Sequence, residues 1–374
     1  MLELDAADVT LSEGNEDTIL KFPVRLEGLN LTNVVVSYGK GSGTAAEGQD
    51  FIIGGEGKFL FSPSSVEKFI EVTIRADLVK EEDETFELIL FDPHNAGLGK
   101  DKITITILND DINPADFIPI PATGYSTPAS YDGYQLAWQD EFEGEALDPG
   151  SWTYEEGDGC PNLCGWGNNE LEYYTEDNTL LVNGNLIIEA RRENAGNRAF
   201  TSARIITKDK REFQYGRIDI RAALPAGRGF WPALWMLGAN IDDAGWPACG
   251  EIDIMELTGD RPNRVIGTAH FGASIAEHRF RTAAKFLPAG EKFSDEFHVF
   301  SIIWKEDLIE WYLDDERYHT LTPADLGGQP YPFNQPFFFI FNLAVGGTLP
   351  GSPDETTTFP NWVIVDYIRV FQEN

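Results

Sequence analysis

The chain has 374 residues, enough for two domains rather than one core. At 42% apolar and 12% aromatic residues it is not a disordered chain, and three cysteines exclude a disulfide-rich scaffold. With 28 basic against 62 acidic residues the net charge is −34; this argues against nucleic acid and anionic membranes as partners and mildly disfavours sulfated or uronic polysaccharides.

The acidity is spread out, with −13 on residues 1–112 and −21 on the rest. That distribution suits a secreted, salt-tolerant protein. The N-terminus reads Met1-Leu2-Glu3-Leu4-Asp5 and has no basic and apolar leader. The reading is a mature secreted or cell-surface chain whose signal has been removed. No run of about 18 apolar residues could span a membrane. A monomer is expected.

Period-two patterns dominate, as in residues 33–38, 69–74 and 102–107, and 36 Gly and 21 Pro punctuate them. Short strands separated by turn residues predict an all-β chain of sandwiches, with no helix longer than about ten residues. Residues 1–112 close on Ile105-Thr106-Ile107-Leu108-Asn109-Asp110-Asp111, after Phe59-Leu60-Phe61 and an acidic run at residues 77–88. This order of motifs resembles the Calx-β domain, an immunoglobulin-like sandwich. The resemblance implies a spacer that some relatives stiffen with calcium, and Glu81, Glu82, Asp83, Asp110 and Asp111 supply the carboxylate oxygens such a cation wants. Residues 113–131 hold Pro114, Pro119, Pro121, Gly124 and Pro128 and predict a stiff, partly extended linker. Residues 132–374 form the second predicted domain.

The cysteines Cys160, Cys164 and Cys249 cannot all pair, so whether Cys160 and Cys164 do stays open. A zinc site lacks an obvious fourth ligand.

The chemistry concentrates at Glu251-Ile252-Asp253-Ile254-Met255-Glu256. Strand alternation puts Glu251 and Asp253 on one face but Glu256 in the apolar layer, where an unpaired carboxylate is costly. A one-residue bulge near Ile254 and Met255 removes the conflict. Four strand steps then separate the glutamates, about 13 Å at Cα, and side chains leaning together bring the carboxylates to about 5–6 Å. That separation belongs to retaining rather than inverting glycosidases. Asp253 between them repels added charge and raises a neighbour's pKa. Trp166, Trp231, Trp235 and Trp246 offer indole faces for sugar C–H surfaces, whereas Trp304, Trp311 and Trp362 are expected to pack.

Residues 132–374 resemble glycoside hydrolase family 16, in its endo-β-1,3-glucanase (laminarinase) branch. The resemblance rests on Trp138-Gln139-Asp140-Glu141-Phe142, Gly165-Trp166-Gly167-Asn168-Asn169-Glu170-Leu171-Glu172-Tyr173-Tyr174-Thr175, Phe230-Trp231-Pro232-Ala233-Leu234-Trp235, the trio itself, Gly267-Thr268-Ala269-His270 and Phe341-Asn342-Leu343-Ala344-Val345-Gly346-Gly347. It implies a β-jelly-roll sandwich with an open concave cleft, Glu251 as nucleophile, Glu256 as acid/base and Asp253 as their helper. It places His270 beside the pair, and Arg204, Asn169 and Asn342 on the non-reducing side; His298 is expected to pack. The inserted Met255 is shared with agarases and carrageenases, and the 165–175 segment separates laminarinases from them. The family's structural calcium site corresponds to Glu141, Gly184 and Asp366, through main-chain oxygens and the Asp366 carboxylate; no cofactor is implied for catalysis. One departure stands out: Thr348-Leu349 follows Gly346-Gly347, where many laminarinases carry Asn-Trp. The expected partner is β-1,3-glucan. The alternatives are a mixed-linkage glucan, a galactan, or binding without catalysis, and relatives that only bind lack the paired glutamates.

Overall fold

The computed structural model describes residues 1–14, 16–28, 31–63, 65–76, 81–110 and 117–374. They divide into two compact units, Met1–Phe117 and Ile118–Asn374. Among the described residues no helix is long and apolar enough to cross a membrane.

The first unit is a two-sheet sandwich. One sheet orders the strands Leu2–Leu4, Thr18–Leu26, Glu67–Ile74 and Phe51–Ile53. The other orders Val9–Ser12, Lys102–Leu108, Glu84–His94, Val34–Gly43 and Lys58–Phe61. Alternation does the work: Ile70, Val72 and Ile74 of one sheet and Phe86, Leu88, Ile103 and Ile105 of the other are buried, and the residues between them face outward. Phe51 and Phe86 stack ring on ring across the gap between the sheets.

The second unit packs two eight-stranded sheets face to face. The back sheet runs through Thr179–Val182, Asn185–Ala190, Asn361–Glu373, Gly216–Ala223, His298–Lys305, Leu308–Leu313 and Glu316–Leu321, with Tyr134–Asp140 beside Asn361–Glu373. The front sheet orders Thr153–Tyr154, Arg204–Ile206, Phe337–Val345, Phe230–Gly238, Glu251–Leu257, Arg264–Phe271 and Arg279–Phe286, with Glu212–Phe213 also on Phe337–Val345. Ile218, Ile220, Ile302, Trp304, Trp311, Val363 and Val365 from the back sheet meet Leu234, Met236, Ile252, Ile254, Phe339 and Phe341 from the front in one core. The jelly-roll expectation is met, and Trp304 and Trp311 pack in that core as expected.

Trp362 does not. It is half-buried on the other side of its strand from Val363, and its indole N–H donates to Glu189 Oε1 at 3.0 Å. The expected linker is also different. Residues 113–116 lie outside the described ones, but Ile118 is buried and the second unit begins there. Beyond it the backbone N–H of Tyr125 donates to Phe297 O at 2.8 Å, Thr127 and Tyr367 share a hydroxyl contact at 2.8 Å, and Tyr131 O–H donates to Asp219 Oδ2 at 2.7 Å. Proline stiffness here lowers the entropy lost in laying an extended strap on the back sheet.

Candidate active site

The strand Glu251–Leu257 lies between Phe230–Gly238 and Arg264–Phe271. Trp235 faces Asp253, yet Leu234 faces Met255, so Ile254 is the extra residue. The other neighbour gives the same result, since Asp253 faces Thr268 and Glu256 faces Ile266. The bulge inferred from buried charge is therefore present, and Glu251, Asp253 and Glu256 all line one cleft while Ile252, Ile254 and Met255 are buried. Two features hold it. The indole of buried Trp311 donates to the Asp253 carbonyl at 2.9 Å. Gly267 leaves room for that indole, because a Cβ there would lie 2.5 Å from Trp311 Cδ1.

The cleft has a volume of about 1060 Å³. Trp246 Nε1–H donates to Glu251 Oε2 at 3.0 Å, and Trp231 Nε1–H donates to Glu256 Oε1 at 3.0 Å. His270 Nε2 lies 3.3 Å from Asp253 Oδ2 and 3.6 Å from Glu251 Oε1. Burial is the main reason the three acids resist ionisation. It carries Glu251 to about 8, with Asp253 and Glu256 adding repulsion against the pull of His270 and the Trp246 donor. It carries Glu256 to about 8 too, with Asp253 adding to it and His270, Trp231 and Arg264 opposing. Asp253 is raised to about 8 by burial. Three such acids cannot all be charged near neutral pH, so the cluster stores protons next to carboxylates.

One end of the cleft is built around Trp235. Its N–H donates to Asn342 Oδ1 at 2.8 Å, Asn342 Nδ2–H donates to the Tyr174 hydroxyl oxygen at 3.1 Å, and Tyr174 O–H donates to Glu170 Oε2 at 2.9 Å. Arg204 lies between the rings of Trp166 and Trp235, 4.6 and 5.0 Å from their centroids, and is ion-paired to Glu155. Trp231, Trp235, Trp246, His270, Arg204 and Asn342 all line the cleft with the trio. Asn169 does not. It sits exposed with φ at 58°, a left-handed turn that points Asn168 and Glu170 into the cleft instead. Thr348 and Leu349 do form cleft wall, and Leu349 stands exposed in it. His298 packs, with Nδ1 2.7 Å from Asp314 Oδ2.

Among the lining residues that sequence reasoning did not single out are Glu170, His278 and Phe280. Phe280, exposed on an edge strand, carried the one usable signal. It also did not foresee that the N–H groups of Trp231, Trp235 and Trp246 are committed to side-chain oxygens, which adds positioning to stacking.

Of the cation sites, Asp50, Glu81 and Glu84 present oxygens within 4.8 Å of one another in the first unit. Burial and Asp50 push Glu84 up to about 7. Asp83 instead accepts from the Asn109 backbone at 3.1 Å and Asp110 from Gly14 at 2.9 Å, while Asp111 lies outside the described residues. In the second unit Gly184 does lie beside the Glu141 carbonyl. The Glu141 carboxylate is held by Arg369 through two bonds of 2.7 Å, and Asp366 Oδ2 accepts from Arg221 at 2.7 Å. The carboxylate expected to face a cation is thus already charge-paired. Cys160 and Cys164 form a disulfide, and Cys249 is a buried thiol.

Residues 165–367 match the model for glycosyl hydrolases family 16, and residues 1–111 match the Calx-beta domain. The chain is 39% identical over 269 residues to glucan endo-1,3-beta-glucosidase A1 of Niallia circulans, covering 67% of this chain and 39% of that one. It is 41% identical over 251 residues to a beta-glucanase of Rhodothermus marinus, covering 64% of this chain and 85% of that one. Among solved structures it resembles the laminarinase catalytic domain of Thermotoga maritima, with a TM-score of 0.62 and 48% identity over 65% of this chain and 100% of that one. The family match extends over more than half of the sequence and contains the whole carboxylate strand, so the chain belongs to the glycosyl hydrolases of family 16 and carries a Calx-beta domain ahead of that fold.

Proposed function

We propose that the chain is an endo-hydrolase of β-1,3-glucan that retains anomeric configuration. The observation that carries the reading is the bulge that puts Glu251 and Glu256 on one cleft wall with Asp253 between them, each glutamate held by an indole N–H. Relatives named for 1,3-β-glucan hydrolysis support the substrate class.

Glu251 attacks the anomeric carbon as Glu256 protonates the departing glycosidic oxygen, leaving a glucosyl ester on Glu251. Water then attacks that carbon while Glu256 takes its proton, and Glu251 leaves as a carboxylate. Asp253 and His270 tune the charge on Glu251. The cleft lining crosses the sheet from Glu155 to Phe280 on the edge strand, a length that suits cutting within a chain. Of the basic residues in the lining, Arg204 and Lys208 are each paired to an acid and Arg264 acts on the charge of Glu256, which favours a neutral glucan over a sulfated galactan.

The Cys160–Cys164 disulfide and a polymeric substrate favour action outside the cell. In the Calx-beta unit, the Asp50, Glu81 and Glu84 oxygens suit a hard dication such as Ca²⁺, and burial together with the neighbouring Asp50 and Glu81 raises Glu84, a penalty on its charge that such an ion would offset.

Release of reducing ends by the purified chain from laminarin, mixed-linkage glucan and agarose tests the reading. Laminarin is the expected substrate and agarose is inert. An untouched laminarin arm overturns it.

A further inference from the structure

His270 and His278 share a contact that the reaction scheme does not use. His270 Nδ1 lies 2.8 Å from His278 Nε2, and the two rings meet edge to edge, 5.0 Å between centroids with 13° between planes. His278 also packs on Trp246 at 4.5 Å between centroids, the indole that holds Glu251. On the far side of His270, Asp253 Oδ2 is buried and makes no well-formed hydrogen bond, and His270 Nε2 is the ring nitrogen beside it, at 3.3 Å.

We propose that His278 is a positioning residue for the catalytic carboxylates, fixing His270 so that its Nε2–H points at Asp253 and Glu251. The proposal rests on the catalytic reading of those carboxylates.

The proton arithmetic supports it. A 2.8 Å contact between two ring nitrogens needs one hydrogen between them. Two protonated rings would oppose N–H to N–H and charge to charge. With both rings neutral, His278 Nε2–H donates to His270 Nδ1, and the His270 hydrogen sits on Nε2. With one proton added, His270 Nδ1–H donates to His278 and Nε2 still carries its hydrogen. The reverse neutral tautomer would turn a lone pair toward Asp253 and Glu251. The charged groups facing the pair agree. Glu251 and Glu256 feel the charge of His270, while His270 and Arg279 add to burial in lowering the proton affinity of His278. His278 is thereby kept as the neutral partner.

The test uses the full chain with ¹⁵N-labelled histidine, of which there are five residues. In the native protein His270 should show a protonated Nε2. In His278→Phe, which keeps an aromatic ring against Trp246, that pattern should be lost. Hydrolysis of laminarin should fall about tenfold in kcat/KM with KM within about twofold, as expected when a reacting group is misoriented. The acidic limb of the pH profile should move up by about half a unit, because an N–H that favours ionised carboxylates is gone. His278→Gln, whose amide can take either hydrogen-bond role, should restore activity to within about threefold. A native tautomer and an unmoved limb in His278→Phe would overturn the proposal, as would His278→Gln failing while its tautomer stays native. If the native chain cleaves no glucan, the tautomer measurement still decides this point, so the two readings fail separately.

Discussion

Trp246 and Glu251 are joined by one hydrogen bond of 3.0 Å, though only five positions separate them. The chain between them turns sharply at Gly250, where φ is 80° and a Cβ would meet Pro332 Cγ at 2.9 Å. The turn brings an indole that is 36% exposed, and so open to a sugar face, onto the carboxylate read as nucleophile. Sugar binding and nucleophile charge are thereby tied to one side chain.

Trp246→Phe separates the two roles. The ring face stays and the donor goes. A donor favours the ionised carboxylate, so its loss raises Glu251 further and moves the acidic limb of kcat/KM to higher pH. We expect KM to stay within about threefold and kcat to fall about tenfold near neutral pH. A pH–rate series on laminarin checks this.

Glu251→Gln should abolish turnover and keep glucan binding, because an amide matches the shape but does not attack. It also carries a stability signature. Folding raises Glu251 from 4.5 to about 8, so the native state holds a proton that the unfolded chain releases across that window. Native stability therefore falls as pH rises from 4.5 to 8, and the amide removes the fall. The variant should match the native protein at pH 4 and exceed it by about 1–2 kcal/mol at pH 8, a Tm gain of a few degrees. Thermal melts at the two pH values decide it.

Glu256→Ala should fail in another way. A substrate with a good leaving group needs no acid in the first step, and azide can replace water in the second. Rescue by azide, and a β-anomer seen first by NMR with the native chain, are the expected results. An α-anomer first would rule out double displacement.

Every one of the nine Trp residues lies from Trp138 onward, which makes the Calx-beta unit a poor glycan platform and favours a spacer. Deleting residues 1–117 should leave activity on soluble laminarin within about twofold. The cut belongs after Phe117, since Ile118 is buried in the second unit. Retention of a 1–111 fragment on insoluble β-1,3-glucan, with or without calcium, would overturn the spacer reading.

Much of the site was legible in the sequence because side-chain parity along a strand is local. Glu251 and Asp253 alternate with buried Ile252 and Ile254, and the conflict at Glu256 alone demanded the bulge that the register shows. Runs of alternation likewise predicted two sandwiches. Tertiary structure decided what parity cannot reach. Which residue of the Asn168-Asn169 pair enters the cleft depends on one left-handed φ. Which oxygen the Trp235 N–H finds depends on register between strands far apart in sequence, as its bond to Asn342 across 107 positions shows. The proline-rich segment read as a linker because composition reports stiffness, and only the docked partners Phe297, Tyr367 and Asp219 turn stiffness into a strap. His278 carries no signature in the chain at all. It acquires a role when the turn before Arg279–Phe286 sets it 2.8 Å from His270, because eight positions of separation allow the hydrogen bond only once that turn has brought the two rings together.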